Sequence, residues 1–163
     1  MTSPDLLELL LEFFRDKLAE RNRHVAGAEL VQGYERNNTY QYIVNRDDTQ
    51  LTWLRRALES LGAEAPSGGE PPAIPREGKA EAAERAVIAD DARRTQAFVE
   101  KWRARTATLP NARHRRMIEV VLGEAMEQKR FFDQMLEGRE DVLGRRPKNF
   151  STGGGVLSAR WLE

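Results

Sequence analysis

Residues 40–62 read YQYIVNRDDTQLTWLRRALESLG, and apolar side chains recur in this stretch in alternating steps of four and three. The positions are Tyr40, Val44, Asp47, Leu51, Leu54, Leu58 and Leu61, and all of them except Asp47 are apolar. This spacing puts the seven side chains on one face of an α-helix. The stretch stops at Gly62, a residue type that commonly ends helices. It therefore predicts a long amphipathic helix with one acid inside its buried face.

Three further segments show the same spacing, which predicts four helices over about residues 4–33, 38–62, 80–109 and 111–137. Ser3, Pro4 and Asp5 form a typical helix start, and Asn111 is placed to cap the last helix. The spaced residues are Leu7, Leu11, Phe14, Leu18, Val25 and Ala28 in the first helix, Ile88, Asp91, Thr95, Phe98, Trp102 and Leu109 in the third, and Met117, Val121, Glu124, Gln128, Phe131 and Met135 in the fourth.

The turn between the first two helices has two possible positions. Asn38 and Gln41 have the form of a capping box, which favours a turn near residues 33–38. The alternative breaks the chain at residues 21–24 and leaves a short first helix beside a very long second one.

The segment over residues 63–79, AEAPSGGEPPAIPREGK, holds four of the seven prolines and predicts an irregular connection. Four helices that each have one apolar face must bury those faces against one another. We therefore expect an all-α fold, an antiparallel four-helix bundle over residues 1–138 with a long connection between helices two and three. Residues 139–163 contain Gly153, Gly154 and Gly155 and are expected to form a tail.

Composition limits the possible functions. With 163 residues the chain has the size of one domain. The 26 basic residues balance 26 acidic ones, which argues against nucleic acid as a partner. The absence of cysteine excludes disulfides and thiolate metal sites. The sequence shows no signal peptide and no apolar stretch of membrane-spanning length, so we expect a cytoplasmic protein that does not enter a membrane.

Polar residues interrupt the apolar faces near the middle of the helices. If these positions lie at one level, they place a carboxylate from each of four helices in one layer, which is the arrangement that two hard metal ions require. The candidate metal ligands are Glu20, His24, Asp47, Asp91, Glu124 and Glu127, and the candidate ions are iron and manganese.

This pattern of four helices, a long central connection and mid-helix acids resembles the ferritin-like superfamily over roughly residues 4–137. A second similarity is the glutamate at position 35 followed by tyrosine at position 42. The resemblance implies a dinuclear carboxylate site built with two Glu-x-x-His motifs. The matching spacings here read DDTQ over residues 47–50 and EAME over residues 124–127, and neither supplies a histidine. The implied site is therefore degenerate.

The same acids are compatible with a metal-free buried network, in which cations and amides neutralise them. Its predicted members are Arg21, Gln50, Arg94, Gln128 and Arg130. We therefore favour a binding or structural module without enzymatic activity or cofactor, acting as a homodimer. The alternatives are a metal-dependent oxidase or ferroxidase-like protein, and an adaptor or cargo protein that docks a partner through the tail, where Trp161 lies among apolar residues.

Residues 103–116 contain five arginines and no acid. They are Arg103, Arg105, Arg113, Arg115 and Arg116. The segment is interpreted either as a solvated turn between helices three and four or as an anion-binding patch.

Overall fold

The computed structural model of the chain describes residues 3–76 and 78–144. Within these ranges the chain forms four α-helices and no β-strand: α1 (Ser3–Leu30), α2 (Tyr34–Ser60), α3 (Ala80–Ala107) and α4 (Ala112–Leu136). The predicted all-α class is confirmed. None of the four helices combines the length and the apolar character that a membrane span needs. The predicted tail continues beyond Gly144, outside the described residues.

Residues 31–33 separate α1 from α2. The side-chain amide of Asn37 donates hydrogen bonds to the carbonyl oxygens of Ala28 (2.8 Å) and Val31 (3.2 Å), which satisfies carbonyl groups at the end of α1. Helix α1 continues through residues 21–24 without a break. Helix α2 begins at Tyr34, four residues before the predicted start, because Gly33 rather than Asn38 occupies its N-cap position.

Two other helix ends follow the signals in the sequence. Gly62 follows α2 with a φ of 79°, a backbone conformation that residues with a Cβ rarely adopt, so glycine ends this helix without strain. At the start of α4 the side chain of Asn111 accepts a hydrogen bond from the backbone N–H of His114 (3.1 Å). This bond satisfies one of the free amides of the first turn.

Helix α1 packs against α2 and α3, and α4 packs against the same two helices. Nearly all buried apolar residues of the described ranges fall into two separate clusters. The first apolar cluster comprises Leu9, Leu10, Phe13, Phe14, Leu51, Leu54, Leu58, Phe98, Val99, Trp102, Leu109, Ile118, Val121, Leu122 and Ala125. The second apolar cluster comprises Ala28, Val31, Tyr40, Ile43, Ile88, Ala92, Phe132, Met135 and Val142. The interior is therefore divided between two apolar regions.

The buried face of α1 agrees only in part with the one that its apolar spacing predicts. Phe14 and Ala28 are buried as predicted, whereas Leu7, Leu11, Leu18 and Val25 are only half-buried. The fully buried positions also include two polar residues, Lys17 and His24, which the apolar spacing omits because their side chains pair with Asp47 in the interior. The 63–79 connection lies beside α1 near Leu18, since Pro66 and Leu18 line one cavity.

Gly27 lies where α1 closely approaches both α2 and α3. A Cβ atom at this position would lie 2.8 Å from Cε1 of Tyr40, 3.1 Å from Oδ2 of Asp91 and 3.3 Å from Cγ1 of Val87. The ring of Tyr40 cannot easily move away, since it is fully buried and its hydroxyl donates a hydrogen bond to Asp91. This contact between helices therefore requires glycine.

Replacing Gly27 by alanine should lower the free energy of unfolding by about 1–3 kcal/mol, the usual cost of overpacking a closed interior. Gly123 is a matched control, because it also lies inside a helix, but a Cβ atom there would have no neighbour within 4 Å among the described residues beyond its own helix. Gly123→Ala should instead raise the free energy of unfolding by about 0.5–1 kcal/mol through helix propensity. Urea unfolding followed by circular dichroism measures both, and equal effects would contradict the packing argument.

Candidate functional site

A layer of buried polar side chains accompanies the two apolar clusters, and every helix contributes to it. It contains charged groups that proteins rarely bury unless they are paired. The buried members are Lys17, Arg23 and His24 from α1, Asp47 and Gln50 from α2, Asp91 and Thr95 from α3, and Gln128 from α4. We refer to these eight residues as the polar layer.

The carboxylate of Asp47 has more partners than any other carboxylate of the polar layer. The ammonium group of Lys17 lies 2.5 Å from Oδ1, and the side-chain amide of Gln128 donates to the same oxygen over 3.0 Å. The second oxygen, Oδ2, lies 2.6 Å from Nδ1 of His24. Both oxygens are thus satisfied by protein groups, and these groups come from α1 and α4.

Asp91 forms a second centre in the polar layer. The hydroxyl of Tyr40 donates to its Oδ2 over 2.6 Å, and a guanidinium nitrogen of Arg23 lies 3.3 Å from its Oδ1. Arg23 also donates to Asp90 (2.5 Å) and to the backbone carbonyl of Ala73 (3.3 Å). This one arginine therefore connects α1 with α3 and with the irregular connection.

The remaining two acids lie at the edges of the layer. Glu124 of α4 accepts hydrogen bonds from Nε of Arg46 (3.1 Å) and from a second nitrogen of the same guanidinium group (2.5 Å). The side-chain amide of Gln50 also donates to it. Glu20 of α1 accepts a hydrogen bond from the hydroxyl of Thr95 (3.4 Å). Each of the four mid-helix acids therefore has a partner from another helix.

Electrostatics separate the acids into two kinds. Burial opposes ionisation of Asp47, but the charges and hydrogen bonds of Lys17 and His24 hold its pKa well below the usual value of 3.8. Burial likewise opposes charge on His24, but the charge and hydrogen bond of Asp47, together with the charges of Asp91 and Glu20, outweigh it and raise the pKa of His24 above 6.5. Burial raises the pKa of Asp91 and of Glu20, since their partners compensate less of the lost hydration.

Tyr40 completes this pattern. Burial raises the pKa of its phenol well above 10.0, and the neighbouring charge of Asp91 adds to that effect. The hydroxyl therefore stays protonated and acts as the donor to Asp91. A phenol that holds its proton is suited to stabilising a buried carboxylate, and not to removing protons from a substrate.

The structure brings some of the predicted metal ligands together. His24 and Asp47 are in direct contact, and Glu20 and Asp91 both act electrostatically on His24. Glu124 is held by Arg46 and Gln50 instead, and the half-buried Glu127 also acts on Arg46. Over residues 3–76 and 78–144, no three His, Asp or Glu side chains form a group that could hold a metal ion.

The donor set does not fit a dinuclear metal centre. An ammonium group at 2.5 Å from Asp47 supplies the positive charge that a metal ion would otherwise provide. Arginine stays protonated and cannot ligate, so the guanidinium group of Arg46 has the same consequence at Glu124.

Only part of the predicted metal-free network lies in the layer. Gln50 and Gln128 belong to it, whereas Arg21 pairs with Asp48 (2.9 Å) and the exposed Arg94 pairs with Asp90 (3.1 Å). Arg130 is exposed.

The cations that neutralise the layer are Lys17 and Arg23, neither of which is among the predicted members of the network. A signal for one of them exists: Leu10, Phe13, Lys17, Glu20 and His24 follow steps of three and four, so Lys17 shares the face of His24.

The five arginines of the predicted patch have different surroundings in the structure. Arg105 makes a two-bond contact with Glu12 (2.7 Å each), and its hydrogen bond lowers the pKa of that acid to about 2. Arg115 and Arg116 both lie close to Glu119, at 4.0 Å and 3.5 Å. The remaining two, Arg103 and Arg113, line different surface cavities.

Comparison of the sequence with protein families, with curated proteins and with solved structures gives no match. The polar layer and the surface cavities are therefore the basis for a function. The homodimer and the partner of the tail stay predictions.

Removing the charge of Asp47 should strongly destabilise the domain. Asp47→Asn leaves the ammonium group of Lys17 buried without a counter-charge, and we expect a loss of about 3–5 kcal/mol in the free energy of unfolding. The double variant Lys17→Met with Asp47→Asn removes both charges, while the asparagine oxygen still accepts from His24. It should recover most of the loss in urea unfolding. A double variant less stable than Asp47→Asn would show that Lys17 is not the compensating cation.

Stability should also depend on the protonation of His24. A group whose pKa is raised in the native state contributes fully below its unfolded pKa, and this contribution is lost as the pH rises through the native pKa. The free energy of unfolding should therefore fall as the pH is raised above 6.5. The raised pKa values of Asp91 and Glu20 also make the free energy of unfolding fall with rising pH. Their contributions begin to be lost above the ordinary pKa values of these groups, 3.8 for Asp91 and 4.5 for Glu20. Burial lowers the pKa of His114, so this residue makes the free energy of unfolding rise with pH. That rise ends near pH 6.5, the ordinary pKa of histidine, and does not affect the range above it.

The variant His24→Gln isolates this contribution. Its free energy of unfolding, measured by urea titration at a series of pH values, should fall less steeply above pH 6.5 than that of the unmodified chain. Parallel curves for the two proteins would mean that folding does not raise the pKa of His24.

Proposed function

We propose that this protein is a ferritin-like antiparallel four-helix bundle that acts as a binding or structural module and uses side-chain cations where that superfamily uses metal ions. The observation that carries the proposal is the set of partners around Asp47, in which Lys17, His24 and Gln128 occupy both carboxylate oxygens. A carboxylate that is already satisfied in this way has no free oxygen to offer a metal ion or a substrate.

Pairs of contacting residues support the proposed helix directions. Between α1 and α3, contacts run from Arg105 with Glu12, through Thr95 with Glu20, to Arg23 with Asp90. Residue numbers rise along α1 as they fall along α3, which is the mark of antiparallel helices. The pairs Tyr42 with Phe131 and Gln50 with Glu124 indicate the same relation between α2 and α4.

The 63–79 connection supports the long crossover of the ferritin-like arrangement. Residues 66–70 line a cavity together with residues of α1 between Arg15 and Asn22. Further along, the carbonyl of Ala73 accepts a hydrogen bond from Arg23. The connection thus follows α1 in the direction of increasing residue number, as a segment must if it joins opposite ends of a bundle.

The proposal is tested by metal content. The protein should be purified without chelators, incubated with Fe²⁺ or Mn²⁺ and freed of excess metal by gel filtration, and then measured by elemental analysis. We expect far less than one metal ion per chain and no change in melting temperature with either ion, because Lys17 and Arg46 already neutralise the acids.

Two variants make a positive result interpretable. Stoichiometric iron or manganese that is lost in both Asp47→Ala and Glu124→Ala would overturn the proposal in favour of a metal-dependent oxidase with a carboxylate site. Metal that is bound equally by the unmodified chain and by both variants would place it elsewhere on the protein and leave the polar layer metal-free, as proposed.

A further inference from the structure

A cavity of about 290 Å³ lies where the last two turns of α2 face the first turn of α4. Helix α2 contributes Trp53, Arg56, Ala57 and Ser60, and α4 contributes Arg113, His114 and Met117. The α2 positions are separated by three, four and seven residues, so one face of that helix forms the wall. This cavity is separate from the polar layer, with which it shares no residue.

The charges around the cavity are all positive. No carboxylate belongs to its lining. Arg56 and Arg113 are both exposed, and neither forms an ion pair with any residue in the described ranges. The N-terminal end of α4, where free amide groups carry partial positive charge, lies beside them. Two free guanidinium groups at a helix N-terminus form a strongly anion-attracting site.

His114 is a further polar residue of the cavity lining, and it is only 8% exposed. Its Nδ1 atom is closed to solvent and has no hydrogen-bond partner among the residues described, although most buried polar atoms in proteins are paired. A ligand in the cavity would pair with this nitrogen only if the imidazole ring turned toward it.

Apart from Ser60, the remaining residues of the lining are apolar. Trp53 and Met117 approach from the two helices, with Ala57 beside the arginine and tryptophan positions of α2. An indole ring and a thioether form a suitable surface for a flat aromatic group. A simple inorganic anion would make no contact with this apolar part of the lining.

We propose that this cavity binds a small organic anion, in which a phosphate or carboxylate group contacts Arg56 and Arg113 and an aromatic ring packs against Trp53 and Met117. The cavity has about the volume expected of a site for a small ligand of this kind. The inference deepens the proposed binding role and relies on that role, but its test does not involve metal. A negative result in the ligand-binding test therefore does not affect the conclusion of the metal-content test, and the reverse also applies.

The experiment is isothermal titration calorimetry of the full chain with phenyl phosphate, phenylacetate and inorganic phosphate. We expect one aromatic probe or both to bind at one site, and inorganic phosphate to bind at least roughly tenfold more weakly, since it makes no contact with the apolar wall. Arg56→Gln and Arg113→Gln should each weaken the aromatic probe by roughly tenfold or more, through the loss of a charge-assisted hydrogen bond.

Arg55→Gln is the matched control. Arg55 is the exposed neighbour of Arg56, it does not line the cavity, and its replacement changes the net charge by the same amount. This variant should bind the probes as the unmodified chain does. Circular dichroism serves to check that every variant is folded.

Three results would overturn the inference. The first is equal weakening by Arg55→Gln and the two cavity variants, which would mean non-specific attraction to a basic surface. The second is equally tight binding of inorganic phosphate and the aromatic probes, which would mean that the apolar wall has no role. The third is the absence of binding by both aromatic probes.

Discussion

Asp47 brings a negative charge into the interior of this four-helix domain, and the groups around it must neutralise that charge. Lys17 and His24 approach from α1, and Gln128 approaches from α4. A carboxylate removed from water without such partners costs several kcal/mol, so the contacts are obligatory once Asp47 is buried. These contacts form only if α1, α2 and α4 keep their observed positions along the direction of their axes. Slipping any of these helices by one turn would separate the charges.

The same constraint accounts for much of the surrounding structure. Tyr40 and Asp91 meet beside Gly27, where the absence of a Cβ atom leaves room for both side chains. Arg23 links Asp91 to the irregular connection and so ties residue Ala73 to the layer. Apolar contacts alone would allow many registers, since one leucine can replace another in a helix interface. Buried ion pairs add little net stability but discriminate strongly between registers, and we infer that this is the role of the polar layer.

The overall charge balance of the chain acquires a structural meaning from these contacts. The 26 basic and 26 acidic residues cancel in the sequence, and part of this cancellation takes place in the interior, where Lys17 faces Asp47 and Arg23 faces Asp91. On the surface the balance is local. Glu12 neutralises Arg105, whereas Arg56 and Arg113 have no carboxylate partner in the described ranges and lie beside one cavity. A neutral protein can therefore still offer a distinctly positive site.

The sequence by itself determined the helices, because their signals are local. The spacing of apolar residues from Tyr40 to Leu61, the cap at Asn111 and the glycine at position 62 all act within a few residues, and each has its expected effect. Spacing also indicated that Asp47, Asp91 and Gln128 are buried, and Gln50 was a predicted member of the buried network. The partners of these residues could not be found in the same way, because they lie 30 or more positions away in most cases.

Only the tertiary structure decided which cation neutralises which acid. Arg21 and Lys17 lie one turn apart on α1, and both are long, flexible cations, yet Arg21 pairs with the exposed Asp48 and Lys17 pairs with the buried Asp47. The rotation of α1 about its axis makes this choice, and that rotation is set by the packing of Leu10 and Phe13 against the other helices. The convergence of Arg56 and Arg113 on one cavity has the same origin, since two residues on different helices become neighbours only when the helices pack.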